Sequence, residues 1–137
     1  MENQLTILSE SLDKKLEVLQ KIREYNKRQE EIFSAEEVDM SLFDDAVEEK
    51  QRLIDEVVHL DEGFEIMYEK LAKELEGNRE RYAAQIRELQ KKVSRVTELS
   101  VTVQAQEARN KKLIENYFAK ERAGIGQRRK NAKSAYD

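Results

Sequence analysis

The feature that most constrains the fold is the recurrence of apolar side chains every three or four residues along three successive stretches. The first stretch covers residues 5–22, and the second, residues 53–71, follows a heptad pattern. The third covers residues 82–96 and continues with more polar members as far as Tyr117. This spacing places the apolar side chains on one face of a helix. Each stretch therefore predicts a long amphipathic helix that must bury that face against other helices.

Composition favours a thin bundle over a compact mixed fold. Charged residues make up 39% of the chain, against about 25% in an ordinary globular domain. Proline is absent and only four glycines occur, which is too few turn residues for a sandwich or a barrel. We therefore expect an all-α fold, an elongated antiparallel bundle of three long helices with coiled-coil-like packing.

Breaks in the apolar pattern set the predicted boundaries. We expect a single domain over residues 1–122, with helices at about 2–33, 41–76 and 79–122, followed by a basic, flexible tail over 123–137. The second helix has Asp39 and Ser41 as candidate N-caps. Gly77 favours a turn through a left-handed C-terminal cap, although one uninterrupted helix through this position remains an alternative. Gly63 falls inside the second apolar face, where it would permit close approach of another helix.

The chain lacks the residue sets of the common catalytic and cofactor sites. Cysteine is absent, which excludes disulfides and thiolate metal sites. Glu56 and His59 have the spacing of di-iron bundles, but His59 is the single histidine and falls on the outer face, so we expect a solvated side chain. Gly124 and Gly126 lack the third glycine of a dinucleotide fingerprint. We expect no enzyme activity, no cofactor and no metal.

Targeting signals are also missing from the sequence. The N-terminus has no basic region followed by an apolar run, so we expect no secretory signal peptide. No stretch approaches the roughly 20 apolar residues that cross a bilayer. We therefore expect a cytoplasmic protein without membrane insertion.

Geometry points to one end of the bundle as the functional surface. A turn at Gly77 pairs the second and third helices antiparallel, which puts Ile114 opposite Ser41 and carries Tyr117 and Phe118 past that end. Exposed apolar side chains there would form a partner site. In the alternative interpretation the two rings close the end of the bundle by packing on other apolar side chains, namely Phe33, Val38, Met40 and Phe43.

Two segments carry a family resemblance. The stretch from Glu49 to Ile54 with residues 60–64, and the stretch from Asn110 to Phe118, resemble bacterial flagellar export chaperones of the FlgN type, and the FliT type has comparable helices. The resemblance implies a type III secretion chaperone. Such a chaperone binds the helical terminal segment of hook-associated proteins in the cytosol and passes them to the export apparatus. It also implies a set of partner-binding residues, which are Asn110, Leu113, Ile114, Tyr117 and Phe118.

Two other functions remain open at this point. A structural coiled-coil protein would use the same apolar faces to self-associate, and a homodimer is compatible with either function. The basic residues after Lys120 would allow a nucleic-acid adaptor, although short basic clusters are common and we do not expect nucleic acid as the partner.

Overall fold

Three long helices make up the fold. The computed structural model describes the backbone of residues 2–136 and the side-chain surroundings of residues 2–124. Helix α1 spans Glu2–Ser34, α2 spans Met40–Leu75 and α3 spans Ala83–Tyr136, and the described backbone contains no strand. The predicted all-α bundle is confirmed.

Helix α1 is the centre of the bundle. It runs antiparallel to α2, since Lys15 pairs with Asp61 near the middle of the two helices and Phe33 packs on Phe43 at one end. It runs parallel to α3, whose Lys92 contacts Ser9. Both outer helices pack on α1, but within the described part of the chain no Cα atom of α2 comes within 8 Å of one in α3. The bundle therefore has an open side between α2 and α3.

The core consists of two clusters that meet along α1. The larger cluster joins all three helices and includes Leu12, Val18, Leu19, Ile22, Leu53, Val96, Leu99 and Val103. The smaller cluster lies near the α2–α3 turn and includes Leu5, Leu8, Leu71, Leu75 and Tyr82. Most of these residues belong to the apolar stripes of the sequence, as expected when a helix buries its apolar face.

Both helix junctions have local causes. The Asp39 carboxylate accepts hydrogen bonds from the backbone N–H groups of Ser41 (3.0 Å) and Leu42 (3.4 Å), so Asp39 is the N-cap of α2. A turn separates α2 from α3, and Asn78 donates its side-chain amide to the Glu74 carbonyl, 3.2 Å away. The left-handed cap predicted at Gly77 is wrong, because no described residue has a positive φ.

Two further expectations differ from the structure. Gly63 is exposed, and a Cβ atom there would meet nothing within 4 Å, so this glycine does not serve a close helix approach. Helix α3 ends at Tyr136, well beyond the predicted end at residue 122. No proline interrupts this stretch, and glycine inside a helix costs only about 1 kcal/mol. The predicted tail thus has a helical backbone to Tyr136, while the side chains of residues 125–137 lie outside the described residues.

Candidate functional site

An apolar groove lies between α2 and α3 at the end of the bundle near their connecting turn. Its volume is about 560 Å³, and Leu8 of α1 lies at its floor. Phe64 and Tyr68 line the α2 wall with parallel rings whose centroids are 6.0 Å apart, and Tyr68 is 53% exposed. Ile86 and Val93 line the α3 wall. Aromatic and aliphatic side chains therefore line an open space between α2 and α3 that neither helix fills.

The α3 wall continues from this groove as an uncharged face. Five exposed residues follow one another at steps of three or four, namely Val93, Thr97, Val101, Gln104 and Ala108. Val93 borders the apolar groove, and Ala108 borders a second depression between α2 and α3 that includes Lys50 and Glu107. An exposed face without charge is unusual in a chain with 39% charged residues. This face suits contact with another molecule better than contact with water alone.

A layer of polar side chains crosses the bundle interior beside the second depression. The Lys50 ammonium of α2 donates to Asn26 Oδ1 (3.3 Å) and Gln29 Oε1 (2.9 Å) of α1, and pairs with the Glu107 carboxylate of α3 (3.0 Å). Asn110 donates its side-chain amide to the Asn26 backbone carbonyl at 2.9 Å. Asn26, Gln29 and Asn110 are all at least 97% buried.

This polar layer connects α2 and α3 through side chains, although the described backbones of these two helices are not in contact. Lys50 and Glu107 form the ion pair that links α2 to α3 in the described part of the chain. Buried polar groups at seam positions fix the register of packed helices, because a slipped register would leave them without partners. Glu107 and Asn110 are polar members of the third apolar stretch, and both side chains are bonded in this layer.

An aromatic cluster closes the end of the bundle where α1 meets α2. The Phe33 ring packs edge-on against Phe43 (4.8 Å between centroids) and against Tyr117 (5.5 Å). Tyr117 in turn contacts Phe118, whose ring is 41% exposed. Tyr117 therefore closes the end of the bundle, as the alternative interpretation expected. Phe118 is exposed and available to a partner, as the partner-site interpretation expected.

The five predicted partner-binding residues do not share one environment. Leu113, Ile114 and Tyr117 are half-buried and Phe118 is exposed, so these four border the surface near the aromatic end. Asn110 is 3% exposed and bonded inside the polar layer, which places it in the bundle interior.

The groove and the polar layer were missed by sequence reasoning. Asn26 and Gln29 continue the α1 stripe from Leu19 and Ile22 at steps of four and three, so they lie on the buried face. The apolar Tyr25 and Ile32 of the same helix lie beside this face and are only half-buried. Polar residues in phase with an apolar stripe are the signal that could have revealed the layer.

The described residues also bear on two predictions from the sequence, the solvated His59 and the absence of a membrane-spanning segment. His59 is exposed, and in the described part of the chain no group of three or more histidine or carboxylate side chains could hold a metal ion. Over the same residues, no helix contains an apolar segment of the length that a bilayer crossing needs.

Comparison with protein-family models, with curated proteins and with solved structures gives no match to this chain. The groove, the uncharged face and the aromatic end are therefore the features of the molecule that bear on its function.

Proposed function

We propose that this protein is a chaperone that binds an amphipathic helix of a client protein in the groove between α2 and α3. The observation that carries the proposal is the separation of these two helices above an apolar floor. A client helix laid there would act as a fourth helix and bury the exposed Tyr68 and Val93 side chains. Peptide recognition by an apolar groove between helices is a common mode of helix binding.

The dimensions of the surface favour a helix as the ligand. The uncharged face from Val93 to Ala108 is about 22 Å long at the rise of an α-helix. A helix of about four turns covers that length and presents apolar side chains at the same three- and four-residue steps. A small molecule would fill only the apolar groove near Tyr68 and would leave the rest of this face uncovered.

The aromatic end extends the same surface. Ile114 borders the second depression, and Phe118 lies one helical turn further along α3. A client helix of about seven turns, on the order of 38 Å, would also contact Leu113, Ile114, Tyr117 and Phe118. Asn110 would act indirectly, by holding α3 against α1 through its bond to the Asn26 carbonyl.

The class of client comes from the resemblance to flagellar export chaperones. On that basis the client is the helical terminal segment of a hook-associated protein, held in the cytoplasm before type III secretion through the export apparatus. The role is one of binding without catalysis.

Binding to helical terminal peptides of hook-associated proteins from the same genome tests the proposal. We expect dissociation constants in the micromolar range by calorimetry or fluorescence anisotropy. The variant Tyr68→Ala should weaken binding about tenfold or more, because a buried aromatic anchor is worth at least 1–2 kcal/mol. The double variant Tyr117→Ala, Phe118→Ala should also weaken binding.

The matched control is Ile66→Ala, which removes an apolar side chain of α2 that is 60% exposed and does not line the groove. It should leave the affinity unchanged. Lack of binding by the folded protein at about 100 µM peptide, a free energy limit of roughly 5.5 kcal/mol, would refute the proposal. Equal effects of the Tyr68 and Ile66 variants would refute the groove as the site.

A further inference from the structure

A second apolar surface lies at the other end of the bundle, between the last turns of α1 and the first turns of α2. This end cleft has a volume of about 640 Å³ and includes Tyr25, Ile32, Leu42 and Ala46. Leu42 is 55% exposed, which is a large apolar area for a residue in the third position after a helix cap. The end cleft therefore has an apolar surface that no described side chain covers.

The rim of the end cleft is acidic. Five carboxylates line it, namely Glu31, Glu37, Asp39, Asp45 and Glu49, against one cation, Arg28, so its formal charge is −4 (1 − 5). Arg28 lies over the Tyr25 ring, with 5.2 Å between the guanidinium carbon and the ring centroid. No described basic residue forms an ion pair with Glu31, Glu37 or Asp45. A complementary ligand would combine apolar and basic side chains.

The C-terminal part of α3 has this chemistry. Residues 124–136 contain four basic side chains (Arg128, Arg129, Lys130 and Lys133), no acidic side chain, and the apolar Ile125. Helix α3 leaves the bundle at the end that carries the cleft, since Tyr117 packs on Phe33 and residues 118–123 are all exposed. Because α3 is one helix to Tyr136, this segment cannot turn back onto the cleft of its own chain.

We propose that the end cleft binds residues 124–136 of a second copy of this chain, in a two-fold dimer where each copy supplies one basic helix and one acidic cleft. The thirteen residues form a helix of about 20 Å, which is sufficient to span the last turns of α1 beside the cleft. A two-fold arrangement makes the contact twice, so a charge substitution carried by both copies acts at two places. The dimer uses a different face from the α2–α3 groove and does not depend on the proposed function.

Light scattering on the full chain over a concentration series tests the dimer. We expect a dimer at about 100 µM that dissociates as salt is raised, because exposed charge pairs are screened beyond a Debye length of roughly 8 Å. Deleting residues 124–137 should give a monomer with unchanged helical circular dichroism per residue in the remaining chain.

Charge reversal gives a paired control. The tail variant Arg128→Glu, Arg129→Glu, Lys130→Glu and the cleft variant Glu31→Lys, Glu37→Lys, Asp45→Lys should each be monomeric alone. Mixing the two should restore a dimer, because each tail then meets a cleft of opposite charge. A monomer at every concentration, a dimer that survives the deletion, or failure of the mixed variants to associate would each overturn the proposal.

Discussion

Replacing Lys50 with methionine tests whether the polar layer holds α2, α1 and α3 together. Methionine keeps the unbranched shape of the side chain up to the position of Cε but removes three donated bonds, to Asn26 Oδ1 (3.3 Å), Gln29 Oε1 (2.9 Å) and Glu107 (3.0 Å). Asn26 is only 1% exposed, so its side-chain oxygen loses the donor it has here at a buried position. An unsatisfied buried acceptor costs about 1–3 kcal/mol.

The other two losses are smaller. Gln29 Oε1 keeps the Asn110 amide as a donor at 3.4 Å. The Glu107 side chain is 40% exposed, so water replaces much of the lost ion pair, and its contribution is at most about 1 kcal/mol. Burying the methionine methyl group offsets part of the loss. We expect a net loss of about 2 kcal/mol in the free energy of unfolding.

Urea unfolding followed by circular dichroism measures this effect. With a slope of about 2 kcal/mol per molar urea, the midpoint should fall by about 1 M. The control is Lys91→Met, which breaks the Lys91–Glu88 pair between side chains that are 68% and 63% exposed, and should change stability by less than about 0.5 kcal/mol. If Lys50→Met costs no more than this control, the reasoning about the polar layer is wrong.

Three further substitutions test the fold, with the same urea assay. Leu71→Ala should lower the free energy of unfolding by about 2–5 kcal/mol, since Leu71 is only 1% exposed. Its control, Val58→Ala at a 51% exposed site, should change stability little, and similar losses at both sites would contradict the core assignment. Asp39→Ala should cost about 1 kcal/mol through loss of the α2 cap, and no change would show that the cap is dispensable. Gly63→Ala should stabilise by roughly 0.5–1 kcal/mol, because the added methyl group meets nothing within 4 Å, and a loss would indicate an unrecognised close approach.

Helix positions were largely predictable because amphipathic spacing is a local property. The predicted spans 2–33 and 41–76 agree with Glu2–Ser34 and Met40–Leu75 to within one residue at each end. Asp39 was one of two candidate caps and is the one that bonds Ser41 and Leu42. The end of α3 was not predictable in the same way, because two glycines and loss of apolar period weaken a helix without forcing it to stop.

The functional surface was predictable only in part. Phe118 was expected at the surface and is exposed, while Tyr117 packs on Phe33. Heptad spacing shows that Phe64 and Val93 lie on seams, but it does not give the distance between two helices. That α2 and α3 both pack on α1 and leave a groove between them depends on how the three helices share their apolar faces.

The sequence by itself determined that the chain forms three amphipathic helices, because apolar spacing and the absence of proline act within each segment. Tertiary structure decided which side chains are neighbours across helices. The polar layer brings together side chains that are far apart in the chain, namely Gln29, Lys50 and Glu107. They meet because α2 and α3 both pack on α1. The open groove beside Tyr68 has the same origin, since helix separation is a property of packing that no single segment contains.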